Sequence, residues 1–439
     1  MNKMNLSDLQ DFYEDHLFTV LVPFWMKNGI DWEMGGYFTC FNNASDTLVS
    51  TNKYTWSQGR FLWMLSRLAY SFADYSKDYK FEDYLKAASC GAEFLKEHAL
   101  LPNGHAAWAL DRDGKPIEVD RLGNEQKPGK GIGFEVGVNA DLFLIYGMAE
   151  YARAANKVEF YEFALTLFES VEHRYETRTY APSIRPVPQG YQEHSKSMIM
   201  LETAQELASI ANFFNHPSEK RLKEVATISV QKTLSTFVNT EEQLLFEHVK
   251  EDGSFAFDEL LGSTVNPGHA LEDTWFIMHY GKRFDNEKVL KSGVDLVKWI
   301  AGVGIDKEYG GIPQFMHKEG GAPAGIVLDV NKDNQIVKDI KNNWYNKLWW
   351  VHSEALYALI LAYEHSRDEW FMTKYWELHE YVFKTFPNPN REIGEWIQIR
   401  NRAGEPEDKV VALPVKDPYH ITRAFMHLIK SLERMNANQ

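Results

Sequence analysis

The chain has few cysteines and no long hydrophobic run. Cys40 and Cys90 are the two cysteines among 439 residues. They match no zinc or thiol-redox spacing and are too few for a disulfide framework. No segment approaches the roughly 20 apolar residues of a membrane helix, and the N-terminus has no apolar signal core. We therefore expect a cytoplasmic protein with no membrane partner.

Positive charge is also scarce. The chain carries 47 lysines and arginines against 62 aspartates and glutamates, a formal net charge of -15, and has no basic cluster. Nucleic acids and anionic membranes require a positive surface that displaces counterions. This composition therefore predicts no nucleic-acid partner and favours a small neutral or weakly polar ligand.

Common cofactor and hydrolase motifs are missing. The sequence has no H-E-x-x-H, no cysteine pair, no EF-hand loop and no G-x-S-x-G. The stretch Gly129–Phe134 is rich in glycine but lacks the G-x-x-x-x-G-K-[ST] phosphate-loop pattern. We expect no metal, no redox cofactor and no serine hydrolase.

Linkers are absent too, and a repeat is present. No stretch rich in proline, serine and glycine divides the chain, so we predict a single domain over residues 1–439. Aromatic or glycine-rich strand-like segments recur at intervals of roughly 60–90 residues. The six segments are Met34–Phe38, Pro102–Trp108, Tyr180–Ser183, Leu245–His248, Tyr309–Phe315 and Gly394–Gln398.

Between these segments lie helical patterns, several apolar nearly all round, as in Ala355–Leu361. Such helices suit an inner layer that is buried on every side. About a dozen helices in two layers predict an all-α fold, an (α/α)6 barrel with short strand-like hairpins at one mouth. The alternative is an open superhelix of helical hairpins, whose repeats would be more alike in sequence and length.

Two histidines occupy matching positions. Both Asn266-Pro267-Gly268-His269 and Asp417-Pro418-Tyr419-His420 place a histidine two residues after a proline. Proline favours the first helical position, so both imidazoles should lie in first turns, where the helix dipole disfavours the protonated form. A histidine kept neutral can act as a base. The alternative is that these polar residues merely cap their helices.

Charged residues accompany these histidines. Glu272 shares a helix face with His269, and Arg423 shares one with His420. Glu202 and Glu354 lie in apolar runs, where an ionised carboxylate requires a partner or a polar cavity. A structural salt bridge, to Lys347 or Arg60, is equally compatible with either glutamate. Tryptophans, among them Trp349 and Trp350, could stack on sugar rings, although most aromatic residues in helical proteins belong to the core.

Taken in order along nearly the whole chain, the motifs resemble those of the N-acylglucosamine 2-epimerase family. The matching pieces are Tyr54–Trp63 with Arg60, Asn139–Phe143, Asn266–Glu272, Tyr309–Gly311, Lys347–Ala355 and Lys416–Arg423. The combination is highly specific, whereas no single piece would be. The resemblance implies an (α/α)6 barrel that epimerises or isomerises an unphosphorylated sugar.

The resemblance also implies roles for individual residues. His269 and His420 would transfer protons at C2 of the open-chain sugar, and Arg60 would stabilise the enediolate at O1. The remaining residues expected around the substrate are Glu202, Glu272, Glu354, Trp349, Trp350, Tyr54 and Arg423.

Two features bear on the substrate. Ile199 stands where family members acting on free hexoses and disaccharides often carry a histidine, and an apolar residue there favours an N-acyl sugar. The long stretch Ala322–Asn343 predicts a surface loop near the mouth. It could narrow substrate choice, contribute to a homodimer interface or be an uncommitted insertion.

The sequence is also compatible with three other functions. The epimerisation or isomerisation of mannose, glucose or fructose, or of a disaccharide, proceeds through the same enediolate. A glycoside hydrolase could use two of the glutamates as acid and base. A non-catalytic carbohydrate or protein-binding module is the third alternative.

Overall fold

The computed structural model describes residues 4–409 and 413–437, so the ends of the predicted 1–439 domain lie outside the described residues. The helices are α1 Leu6–Asp15, α2 Val22–Asn28, α3 Thr55–Phe72, α4 Phe81–His98, α5 Asn139–Ala155, α6 Val158–Thr177, α7 Ser195–Phe213, α8 Glu219–Lys232, α9 Leu260–Ser263, α10 Pro267–Arg283, α11 Glu287–Gly304, α12 Gln335–Asn343, α13 Trp349–Ser366, α14 Glu369–Thr385 and α15 Tyr419–Ala437. A π-helical segment, His16–Leu21, joins α1 to α2.

Six of these helices form a closed inner ring. In order around the ring they are α3, α5, α7, α10, α13 and α15; each contacts the next, and α15 returns to contact α3. Five inner helices pack against the outer helix that follows them in the chain, and α15 packs against α1. The predicted (α/α)6 barrel is therefore confirmed. The contact between α15 and α3 excludes the open superhelix.

Side-chain patterns explain the two layers. Every residue of α13 from Val351 to Ala362 is buried, as expected for a helix enclosed on all sides. In the outer helix α11, the buried residues Leu290, Gly293, Val297 and Ile300 recur every three or four positions, which is one helix face.

Short strands connect the helices at one end of the barrel. They are β1 Lys53–Tyr54, β2 Ala109–Leu110, β3 Glu118–Val119, β4 Glu125–Gln126, β5 Tyr191–Glu193, β6 Val238–Asn239, β7 Leu244–Leu245, β8 His248–Lys250, β9 Thr264–Val265, β10 Met316–His317, β11 Lys347–Leu348 and β12 Ile399–Arg400. All pairs are antiparallel: β1–β2, β3–β4, β5–β8, β6–β7, β9–β10 and β11–β12.

Four of these pairs share one role. Each of the four joins the residues before an inner helix to those after its outer partner, as in Lys347 opposite Arg400. The four pairs are β1–β2, β5–β8, β9–β10 and β11–β12. The N-termini of the inner helices therefore gather at the strand end, which we call the mouth.

The predicted strand-like segments are only partly strands. Leu245–His248 contains strand residues, while Pro102–Trp108, Tyr309–Phe315 and Gly394–Gln398 lead directly into β2, β10 and β12. In Met34–Phe38 the pairing is a single bridge, from Tyr37 to Ile30.

Two further predictions are corrected at the mouth. Tyr180–Ser183, a described segment, forms no strand. Residues 322–343 are not a simple loop either, because they include α12, whose Ile336, Val337 and Ile340 are buried. Within the described ranges, no helix has both the length and the apolar composition needed to cross a membrane.

Candidate active site

His269 lies in the first turn of α10. Pro267 occupies the start of the helix, and the Asn266 side chain accepts a hydrogen bond from the His269 backbone N–H at 3.2 Å. The Nδ1 atom of His269 lies 3.0 Å from Oε2 of Glu247, and 30% of the histidine side chain is exposed. The carboxylate can only accept here, so Nδ1 carries the proton and Nε2 is left for a substrate.

The pKa of His269 differs from the prediction. Burial opposes protonation, but Glu247 outweighs it, and Glu272 adds to its effect, so the pKa of His269 is raised. The helix dipole alone predicts a lowered pKa, which is wrong for this residue. A carboxylate in contact acts more strongly than the partial charge of a helix end.

A second buried histidine supports Glu247. Nε2 of His194 lies 2.7 Å from Oδ2 of Asp273, and its Nδ1 lies 3.9 Å from Glu247. Although burial opposes it, Asp273 and Glu247 raise the pKa of His194 to about 9. Sequence reasoning did not include His194, Asp273 or Glu247 in the site. These residues come from three separate segments, and no local pattern joins them.

His420 lies in the first turn of α15. Its Nδ1 lies 2.7 Å from Oε1 of Glu354, and its side chain is 7% exposed. Burial, together with the cations of Arg60 and Arg423, lowers the pKa of His420 to about 3. The prediction of a neutral imidazole holds here, mainly because the ring is desolvated.

Trp350 brings the two histidines into one neighbourhood. Its ring centroid lies 5.6 Å from that of His269 and 5.5 Å from that of His420. Each histidine thus contacts the same indole, binds a glutamate through Nδ1 and leaves Nε2 without a hydrogen bond within the described chain. This arrangement places two imidazoles with opposite pKa shifts around one indole.

A charged cluster lies beside His420. The Arg423 Nη2 atom donates to Oε1 of both Glu272 and Glu354, and Nη1 donates to the Tyr419 hydroxyl at 2.6 Å. The Trp275 indole N–H also donates to Glu354, at 2.8 Å. Glu354 is therefore paired with Arg423 and not with Lys347 or Arg60. The partner of Lys347 is Asp306, at 3.4 Å.

The same cluster has the spacing of a metal site. Ligand atoms of Glu272, Glu354 and His420 lie within 4.8 Å of one another, the one such group among the described residues. However, the Arg423 guanidinium already bonds both carboxylates. This positive charge already neutralises the two carboxylates that would bind a metal ion, so the donor set does not fit a resident metal.

Arg60 lies next to His420. Its Nη1 donates to Oδ2 of Asp417 at 2.7 Å, and the same oxygen lies 3.9 Å from Nε2 of His420. The guanidinium stacks on the Phe143 ring, 3.9 Å from its centroid. Arg60 therefore presents a positive charge on the Nε2 side of His420, where an oxyanion could be stabilised.

The structure places three other predicted residues elsewhere. Glu202 accepts a hydrogen bond from Tyr146 at 3.1 Å deeper in the barrel, where burial and Glu206 raise its pKa. Tyr54 is fully buried and donates to the Gly123 carbonyl at 3.3 Å. The backbone N–H of Trp349 donates to Gln398, and no described contact joins the Trp349 side chain to either histidine. The geometry thus does not bring Tyr54 or Trp349 to the histidine pair.

Known proteins resemble this chain over nearly its full length. The N-acylglucosamine 2-epimerase of Mus musculus is 27% identical over 413 residues, which cover 92% of this chain and 87% of the mouse protein. The cellobiose 2-epimerase of Dictyoglomus turgidum is 23% identical and covers 98% of this chain and 100% of its own. Among solved structures, the cellobiose 2-epimerase from Bacillus thermoamylovorans B4167 superimposes with a TM-score of 0.74 at 20% identity, covering 97% of this chain and 99% of that one.

The family comparison is more specific than these pairwise similarities. Residues 36–424 match the family described as N-acylglucosamine 2-epimerase (GlcNAc 2-epimerase). This range includes both histidines, Arg60 and Arg423, and it leaves out only the chain ends. The chain belongs to the N-acylglucosamine 2-epimerase family.

Proposed function

We propose that the protein is a sugar 2-epimerase that interconverts N-acylglucosamine and N-acylmannosamine. The observation that carries the proposal is the histidine pair around Trp350, in which one imidazole has a raised pKa and the other a lowered pKa. Opposite pKa shifts in one site assign an acid and a base.

The reaction follows from this assignment. After the pyranose opens, a neutral imidazole removes the C2 proton, and the electrons of the C–H bond form the enediolate. A protonated imidazole on the opposite face then returns a proton to C2, which inverts the carbon. At neutral pH, His420 suits the first role and His269 the second. The roles exchange in the reverse direction.

Nearby residues would stabilise this intermediate. Arg60 lies beside His420 and is paired with Asp417, so its guanidinium can stabilise negative charge on O1 without leaving its position. Glu247 and Glu354 hold the two imidazoles by their Nδ1 atoms. Trp350, which touches both rings, provides an apolar wall for the carbon skeleton.

Two observations favour an N-acyl sugar. The mouse relative is named an N-acylglucosamine 2-epimerase and is more similar to this chain than the Dictyoglomus cellobiose 2-epimerase. In addition, Ile199 lies on α7 one turn before Glu202 and is half-buried. An apolar side chain in this position suits the methyl group of an N-acetyl substituent better than a hydroxyl group.

Competing functions fit the geometry less well. A glycoside hydrolase needs an acid and a base carboxylate on either side of the scissile bond. Glu272 and Glu354 both bind one nitrogen of Arg423 instead, and Glu354 is fully buried. A sugar-binding module has no need of two imidazoles with opposite pKa shifts.

Proton exchange with solvent tests the proposal. The enzyme is incubated in deuterated water with N-acetylglucosamine, N-acetylmannosamine, glucose, mannose and cellobiose, and the products are followed by NMR. Because the returned proton comes from a different imidazole, the N-acetyl epimer should carry deuterium at C2 from the first turnover. Epimerisation without deuterium would contradict the two-histidine mechanism. Turnover restricted to glucose, mannose or cellobiose would contradict the proposal that the substrate is an N-acyl sugar.

The location in the cell is a further part of the proposal. We propose a cytoplasmic protein, because Cys40 and Cys90 are both free. Thiols of this kind are typical of a reducing compartment. Thiol alkylation in intact cells followed by mass spectrometry checks their state. We also propose that the protein is a homodimer, which analytical ultracentrifugation checks.

A further inference from the structure

A long segment between β10 and β11 is bound along the mouth. We call residues 322–346 the strap. Its first part binds the residues that precede α10: the Leu260 N–H donates to the Ile326 carbonyl at 2.8 Å, and the Ile326 N–H donates to Asp258 at 2.8 Å. The Ser263 hydroxyl donates to Ala324 at 2.7 Å. Ser263 precedes His269 by six residues, so this part of the strap is attached to the segment that leads into His269.

The middle of the strap binds the segment that leads into α7. The Asn331 side chain accepts from the Gln189 N–H at 2.9 Å and donates to the Gln189 carbonyl at 3.1 Å. Asn334 donates to the Pro186 carbonyl at 3.0 Å, and Arg185 donates to Asp339 at 2.7 Å. We call these contacts of Asn331, Asn334 and Asp339 the latch.

The strap also has an apolar core of its own. Ile336, Val337 and Ile340 of α12 are buried against Tyr191, Leu260 and Leu261, in a cluster separate from the main core. Removing several aliphatic side chains from water stabilises this packing. Together with the latch, this packing holds the strap in one position.

These attachments extend along half of the ring. The strap connects β10 to β11, between α11 and α13, and binds the residues that lead into α10 and α7. Gln335 accepts from Arg121 at 2.5 Å, and Arg121 lies in the β3–β4 hairpin that precedes α5. The strap therefore borders the mouth from α13 back to α5.

The reaction determines where the rest of a sugar must lie. C1 and C2 must lie between His269 and His420, near the helix N-termini. Farther down the barrel, the side chains of Tyr146, Glu202 and Glu206 are buried and hydrogen-bonded to one another or to Arg67. The far end of the sugar should therefore point outward, and a second ring attached at O4 would extend by one more sugar unit toward the mouth that the strap borders.

We propose that the strap, held by its latch, limits the site to one sugar ring and so excludes 4-linked disaccharides. This inference rests on the proposed function, and it assigns to Asn331, Asn334 and Asp339 a role in substrate size. Their contacts lie outside the histidine pair, so loosening them should change selectivity and not the chemistry.

The experiment compares a sugar with its own 4-linked dimer. C2 deuterium exchange is measured for N-acetylglucosamine and for N,N′-diacetylchitobiose with the wild type, the triple variant Asn331→Ala, Asn334→Ala, Asp339→Ala, and a variant in which residues 328–342 are replaced by a glycine-serine linker. Lys332→Ala is the matched control, since Lys332 is exposed on the same strap. Amide hydrogen exchange over residues 329–340 reports whether the latch has opened.

The wild type should prefer the monosaccharide by about 100-fold or more in kcat/KM, and the latch variant should reduce this preference at least about tenfold. Its monosaccharide activity should stay within about threefold of the wild type, and Lys332→Ala should change neither value. If the linker variant does not fold, the triple variant alone tests whether the strap limits the site to one sugar ring. Equal use of both sugars by the wild type, an unchanged preference in the folded triple variant, or unchanged amide exchange would each overturn the inference. If no sugar is exchanged at all, the proposed function fails and this inference fails with it.

Discussion

Oε1 of Glu272 lies 3.8 Å from Nδ1 of His420, although Glu272 belongs to the helix that carries His269. Glu272 is one helical turn beyond His269 and contributes to its raised pKa. One carboxylate therefore acts on the pKa of both imidazoles. Arg423 holds it in place by donating to both Glu272 and Glu354. A proton gained by one imidazole should thus alter the pKa of the other.

Replacing either histidine should separate exchange from epimerisation. In His269→Asn or His420→Asn, one imidazole remains and can remove a proton only from the epimer whose C2–H faces it. We expect epimerisation to fall by about 10² to 10⁴-fold. Each variant should still exchange deuterium into one epimer, and the labelled epimer should differ between the two variants. His173→Asn, an exposed histidine on α6, is the control. Exchange into both epimers by a single variant would rule out a two-base mechanism.

Replacing Glu247 should shift the pH profile. Burial lowers and Glu247 raises the pKa of His269, so Glu247→Gln should leave His269 with a lower pKa. In the direction in which His269 donates the proton, the alkaline limb of kcat/KM should move to lower pH. We expect a loss of roughly 10- to 100-fold at neutral pH, as for other residues that orient a functional histidine. A profile like that of Glu251→Gln, an exposed carboxylate, would show that Glu247 does not set this pKa.

Gly268 should tolerate no side chain. A Cβ atom there would lie 2.5 Å from Cη2 of Trp350 and 2.8 Å from the buried Val351 side chain. Gly268→Ala should therefore displace the Trp350 ring and lower kcat/KM by about 10- to 100-fold. The free energy of unfolding should fall by about 1–3 kcal/mol, as for other overpacked sites. The matched control is Gly302→Ala on α11, where a Cβ meets nothing within 4 Å. Equal kcat/KM for the two variants would contradict the role of Trp350.

The ion pair of His194 and Asp273 should make stability depend on pH. The pKa of His194 is raised to about 9 from an ordinary value of 6.5, so its stabilising contribution is complete below about pH 6.5 and is lost toward pH 9. In urea unfolding, the difference between the wild type and His194→Gln should be largest near pH 6 and shrink as the pH rises. His173→Gln should show no such trend. A difference that grows toward pH 9 would mean that His194 is neutral in the folded protein.

Local signals in the sequence were sufficient for much of the fold. The inner helices follow from apolar runs such as Ala355–Leu361, because a helix that is hydrophobic on all sides must be enclosed. The first-turn positions of His269 and His420 follow from Pro267, Pro418 and the preceding polar residues, which start a helix through contacts a few residues long. The same local reasoning predicted a loop where the strap contains α12, because the polar turn residues beside this helix outweighed the signal of its buried face.

The chemistry of the site was decided only by the tertiary structure. The sequence by itself determined that both histidines lie in the first turns of their helices. From the helix dipole, it also predicted that both imidazoles are neutral. Folding brings Glu247 to His269 from 22 residues away and Glu354 to His420 from 66 residues away. Charge interactions and desolvation depend on distance in space and not along the chain. Contact with Glu247 therefore makes the pKa of His269 rise, whereas burial beside Arg60 and Arg423 makes that of His420 fall.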